Sequence, residues 1–142
     1  MQTAARRFSL VVFGLLSVFL ILFGMLYASS GGYLPFHAAA LPETARVASL
    51  PLYLALMKLI GSASASLGAL CLFVSWELRR PDRRFMGEIL AVAIAFPVMM
   101  AAYVAETLAA ATGAPTSWHI MGGLLAADAA AYLTWRISML SV

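Results

Sequence analysis

Four apolar stretches, each close to the length a helix needs to cross a lipid bilayer, occupy most of this chain and dictate its architecture. About 20 residues rising 1.5 Å each cover a hydrocarbon core of about 30 Å. The stretches run over about 9–27, 50–76, 85–111 and 118–135. In lipid every backbone N–H and C=O must find its partner within the protein, so each stretch is expected to be an α-helix. Of the 142 residues 63% are hydrophobic and 11% charged, against about 25% charged in a typical soluble domain. No material remains for a second, soluble domain. The expected fold is all-α: one integral membrane bundle of four transmembrane helices filling residues 1–142.

The breaks between stretches agree with this reading. Pro81 and Asp82 separate the second and third spans, with Asp82 the expected N-cap of the third. Gly113, Ala114, Pro115, Thr116 and Ser117 end the third and open the fourth. Both connections are short, so spans two, three and four are expected to be antiparallel neighbours. The first connection, 28–49, is longer and is expected to form an ordered cap over one end of the bundle. Within it, Pro42-Glu43-Thr44 reads as a helical turn leading into span two, with Pro51 in the first part of that span. Arg6 and Arg7 before an apolar run resemble a signal peptide, and with Phe8, Ser9 and Leu10 a twin-arginine signal. The run exceeds the usual 7–15-residue apolar core of such signals, and three more spans follow, so a retained first helix is expected.

Basic residues orient the bundle. Arg6, Arg7, Arg79, Arg80, Arg83, Arg84 and Arg136 fall on one side, and Arg46 alone falls in the opposite loops. By the positive-inside bias this places both termini and the 79–84 turn in the cytoplasm of a bacterial-type inner membrane. Tyr27, Tyr33 and Trp118 then mark the outer interface, and Trp76 and Trp135 the inner one. The net charge of +3 is explained by orientation, and no nucleic-acid partner is expected. The single cysteine, Cys71, lies in an apolar run and reads as a small buried hydrophobe. Gly61, Ala65 and Ala69, with Ser64 and Gly68, give span two a small-residue face. Gly122, Gly123, Ala126, Ala127 and Ala130 do the same for span four. Such faces let helix backbones approach closely, either within one bundle or between subunits.

Four ionisable residues fall inside the spans and away from the charged 79–84 turn: Lys58, Glu106, His119 and Asp128. A charge near the bilayer centre costs at least about 2.5–3.5 kcal/mol, so these side chains are expected to face the protein, water or each other. Lys58 and Glu106 lie nearly equidistant in sequence from Pro81, about 35 Å from that turn at 1.5 Å per residue. An ion pair between them is therefore expected, either as a structural link or as part of a polar site. Asp128 lies deeper, near the middle of span four, on a stripe with Met121 and Trp135 and one turn from Tyr132. His119 points to the opposite side, near the outer interface. Glu88 and Glu106 are about five turns apart and share a face, flanked by Met99 and Tyr103. Glu88 and Arg136 are expected to be hydrated. Pro97, at the centre of span three, removes the hydrogen bond to the Ala93 carbonyl and is expected to kink the helix.

Several chemistries find no support. His37 and His119 both map to the outer side, which argues against a bis-histidine haem. There is no Cys/His metal cluster, zincin motif, nucleophile elbow or phosphate loop. No catalytic residue, metal or cofactor is expected; bound lipid is the one non-protein ligand foreseen. Leu34-Pro35-Phe36-His37, Ala55-Leu56-Met57-Lys58 and Thr112-Gly113-Ala114-Pro115-Thr116 together resemble a group of uncharacterised small bacterial four-helix inner-membrane proteins. That resemblance implies the four-span outline and no activity.

Three functions remain in view. The first is a non-catalytic accessory subunit, assembling with copies of itself or with other membrane subunits through the small-residue faces. The second is a small transporter or ligand-binding bundle, with Lys58, Glu106, Asp128, Tyr103 and Tyr132 lining a polar cavity. The third is a membrane enzyme acting on a lipid or quinone, with Glu106 or Asp128 as acid or base. Size favours the first, because four spans with minimal loops poorly enclose a solute path.

Overall fold

Long apolar runs between short polar breaks fold into five helices in a computed structural model: α1 (Gln2–Ser29), α2 (Pro35–Ala39), α3 (Glu43–Glu77), α4 (Met86–Thr112) and α5 (Trp118–Leu140). The structure describes residues 2–80, 85–113 and 118–140, and side chains from residue 4 onward. The expected N-cap Asp82, the arginines Arg83 and Arg84, and residues 114–117 of the second connection lie outside the described residues.

Three helices, α1, α3 and α4, are long and apolar enough to cross a membrane. The 23-residue α5 has the length, but His119, Asp128, Arg136 and the Gly122–Gly123 pair dilute its hydropathy. Helix ends depart from the apolar limits because hydropathy marks depth in lipid while hydrogen bonding carries a helix beyond it. The 35 residues of α3 start at Glu43, after Pro42, and run through Pro51, giving a rod of about 52 Å. At the far end of α4, Gly113 takes the left-handed conformation (φ 67°) that favours glycine. Its N–H closes the last turn on the Ala109 carbonyl at 2.9 Å.

The closest packing joins α1 to α3. Gly24 rests on the backbone of Gly61 and Ala65, Gly61 on Gly24 and Ala28, and Gly68 on Ser17 and Ile21. As the numbering rises in α1 it falls in α3, so the pair is antiparallel. Apolar burial adds little to helix association in lipid, and close van der Waals contact between small residues has to supply the attraction. At one end of this pair the Arg6 guanidinium donates to the Leu78 and Arg79 carbonyls at 2.9 Å, satisfying acceptors that the end of α3 leaves open.

Helix α5 packs between α1 and α4. Ser9 and Thr134 share a hydroxyl hydrogen bond of 2.7 Å, and Arg136 donates to Glu88 at 2.8 Å. Gly87 lies against the indole of Trp135. The helices are thus ordered α3, α1, α5, α4, with α3 and α4 meeting sparsely. α3 and α4 are in contact, as expected from their short connection, but far less than α1 and α3. A short turn fixes only one end of a hairpin, and the small-residue face of α3 is already taken by α1. The core consists of Phe13, Leu16 and Leu20 of α1, Cys71 of α3 and Leu78 just after it, Leu90 and Ile94 of α4, and Ala131 and Trp135 of α5.

Candidate functional site

The register set by these contacts separates the four ionisable residues. Gly61 touches Ala28, next to the last residue of α1, so Lys58 lies nearly a turn further out, level with the end of that helix. Lys58 is about 27 Å along α3 from Trp76, and Glu106 about 30 Å along α4 from Met86. Both distances are close to the thickness of a hydrocarbon core, about 30 Å. Both side chains are exposed, and no ion pair joins them. The buried stripe of α3 is Met57, Gly61, Gly68, Cys71 and Ser75, which turns Lys58 aside by about 100°. Tyr103 is also exposed, and Thr107 bonds back to its carbonyl at 2.8 Å. His119 is exposed and stacks on Trp118, ring centroids 3.7 Å apart.

Asp128 stands apart. It is 4% exposed, and among the described residues nothing donates to its buried Oδ1. It lies about 15 Å along α5 from Trp118 and about 10 Å from Trp135, well inside the bundle. The Ser9–Thr134 and Glu88–Arg136 contacts set it level with residues 13–17 of α1 and 93–97 of α4. Cys71 of α3 belongs to the same core as Ala131, about one turn along α5 from Asp128. Pro97 stands at this level within the unbroken α4 and has no N–H to give the Ala93 carbonyl. Tyr132, one turn from Asp128, is half-buried against the core. Of the six candidates, the structure therefore brings Asp128 and Tyr132 to the interior and leaves Lys58, Glu106, Tyr103 and His119 on the surface. No group of three metal-ligating side chains occurs among the described residues.

Two clusters were not foreseen. At the α2 end, the Tyr33 hydroxyl reaches the Arg46 carbonyl at 3.0 Å and Ser49 at 2.8 Å. The Leu34 N–H donates to the Tyr53 hydroxyl at 3.1 Å, and that hydroxyl meets His37 Nδ1 at 2.9 Å. The Tyr53 hydroxyl thus joins the Leu34 N–H to the imidazole, with the direction of its bond to Nδ1 set by the His37 tautomer. Burial holds His37 below the usual imidazole pKa, favouring the neutral form. Tyr27 meets the imidazole edge-on at 5.8 Å. Tyr27 and Tyr33, expected at the outer interface, are joined by the fold-back of α2 onto α3 to His37 and to Tyr53 respectively. At the opposite end, Glu88 and Arg136 form an ion pair rather than standing separately in water. Beside them the Arg6 guanidinium lies 5.6 Å from the Trp135 ring centroid. The buried Trp135 Nε1 and Glu88 Oε2 lack partners among the described residues.

Comparison with protein-family models, with curated proteins and with solved structures finds no match to this chain.

Proposed function

We propose that this chain is a non-catalytic subunit of a bacterial inner membrane, crossing it four times with both termini cytoplasmic, and that it assembles with further copies of itself. The observation that carries this is a lack of interior. No residue of α4 beyond Val98 and none of α5 before Asp128 is buried, whereas α1 and α3 are packed backbone to backbone at the same level. On α5, His119, Gly122, Gly123, Ala126 and Ala130 form one exposed stripe on the side away from Asp128. A Cβ on Gly122 or Gly123 would touch nothing. A small-residue stripe facing lipid suits the approach of another helix, and the exposed Glu106 would gain a partner or water in such an assembly. The fourth crossing is supported by the antiparallel packing of α5 along α1 and α4. The orientation is supported by the arginines gathered at one end.

Ala126→Cys tests the assembly. Mild oxidation in native membranes is expected to give a covalent dimer, since Cys71 is buried and does not compete. Gly123→Leu is expected to abolish the detergent-resistant oligomer and leave helicity unchanged. A particle that stays monomeric and fails to cross-link at residue 126 would refute self-association; a different co-purifying membrane protein would move the interface to that partner.

A second reading, a bundle that binds a proton or a small cationic solute, is favoured by Asp128 alone. A buried carboxyl group without a partner costs about 1–3 kcal/mol or more. Asp128→Leu is therefore expected to raise stability by about that amount in thermal unfolding of the purified protein. A gain means that the carboxyl is kept for a ligand; a loss means that it holds the helices together.

A further inference from the structure

We propose that the groove between α1 and α3 at the arginine-rich end binds an anionic glycerophospholipid, with one acyl chain in the groove and the phosphate between Arg79 and Arg7. This goes beyond the subunit reading and does not depend on self-association.

The groove is a cavity of about 570 Å³, within the range of small-ligand sites (about 300–1,000 Å³). Leu10, Gly14 and Ile21 of α1 form one wall, and Leu72, Phe73 and Trp76 of α3 the other. From Leu10 to Ile21 the helix rises about 16 Å, the depth of one leaflet of a hydrocarbon core of about 30 Å. Gly14 is what keeps it open: a Cβ there would meet nothing, in contrast to Gly24, Gly61 and Gly68, which sit against a neighbouring backbone. The face of the helix pair is thus closed at Gly24, Gly61 and Gly68 and grooved beside Gly14, nearer the arginines.

The mouth supplies the charge. Arg79 lines it, with its guanidinium 4.0 Å from the Trp76 ring centroid, and among the described residues pairs with no acid. Stacking on Trp76 holds the cation at the edge of the apolar wall and leaves its N–H groups free for a phosphate. Arg7 is exposed two turns before Gly14 on the same face of α1, and it too pairs with no acid among the described residues. The acids described at this end, Glu77 and Glu88, are engaged by Arg80 at 3.2 Å and Arg136 at 2.8 Å. Among the described residues, then, no free acid lies at this end for a second copy of the chain to bring to the groove, and an anionic membrane lipid is the occupant that matches its charge. A leaflet-deep apolar slot ending at two unpaired arginines matches a lipid tail below an anionic headgroup.

Native mass spectrometry of the full chain in mild detergent tests the proposal, with phosphatidylglycerol and phosphatidylcholine of identical acyl chains titrated separately. One retained phosphatidylglycerol is expected, at least about tenfold tighter than phosphatidylcholine, a difference of about 1.4 kcal/mol. Gly14→Leu fills the slot and is expected to remove that adduct with helicity intact. The Arg7→Gln/Arg79→Gln double variant is expected to reduce phosphatidylglycerol binding to the phosphatidylcholine level, while Arg80→Gln leaves it unchanged. Equal retention of both lipids, or an adduct that survives Gly14→Leu, would overturn the proposal. So would a lipid-independent dimer lost in Gly14→Leu, which would put a second copy in the groove.

Discussion

Gly61→Leu is expected to drive α1 and α3 apart. A side chain at position 61 would enter the backbone of Gly24 and Ala28, and backbone cannot swing aside as a flexible side chain can. Overpacking a tight core commonly costs about 1–3 kcal/mol, and this contact belongs at or above the top of that range. In detergent micelles the variant should unfold at lower temperature, be cleaved faster by protease and expose Cys71 to thiol reagents. Gly122→Leu is the control, because position 122 faces open space. It should leave the unfolding of the single chain unchanged. If Gly61→Leu unfolds like the parent, the antiparallel α1–α3 contact is wrong.

Trp135→Ala should be the most damaging tryptophan replacement. Trp135 is 1% exposed, against 61% for Trp76 and 48% for Trp118. It touches Gly87 of α4 and stands beneath the Arg6 cation, so it ties three helices at the arginine-rich end. Deleting a buried tryptophan costs about 3–5 kcal/mol in soluble cores. The expected result is a large fall in thermal stability, with little change for Trp76→Ala or Trp118→Ala. Gly87→Ala offers an independent check, since the added methyl would enter the indole ring. It should shift the tryptophan emission to longer wavelength as the ring is pushed toward water. Equal effects at all three tryptophans would remove Trp135 from the core.

Depth is the property that counting along this chain recovers, and azimuth is the one it loses. The near-equal distances of Lys58 and Glu106 from the 79–84 turn do place them at similar heights. They do not pair, because the buried stripe through Met57 and Gly61 turns Lys58 outward and no such stripe reaches Glu106. That stripe was partly visible in Gly61, Ala65 and Gly68. Its counterpart in Ser17, Gly24 and Ala28 was hidden among the leucines and phenylalanines of α1, where small residues are spaced unevenly. Asp128 was legible because it shares a stripe with Trp135, and an aromatic residue with a carboxyl on one helical face implies an interior. The His37–Tyr53 contact depends on the chain reversing at Leu34–Pro35, a tertiary event with no periodicity to announce it. The preference of α3 for α1 over α4 was equally hidden, since loop length says nothing about which faces fit.

The length of α3 has a mechanical consequence. Trp76 prefers the polar boundary at one edge of the hydrocarbon and Lys58 keeps its ammonium in water at the other, about 27 Å away. The two act as stops on a single rigid rod, so the protein cannot slide along the bilayer normal. In a thicker membrane the lipid must thin around it, and in a thinner one the rod must lean. Because α1 is joined to α3 through glycine contacts that leave no slack, the pair has to lean as one body. Bilayer thickness would then be converted into a tilt of the face formed by α4 and α5.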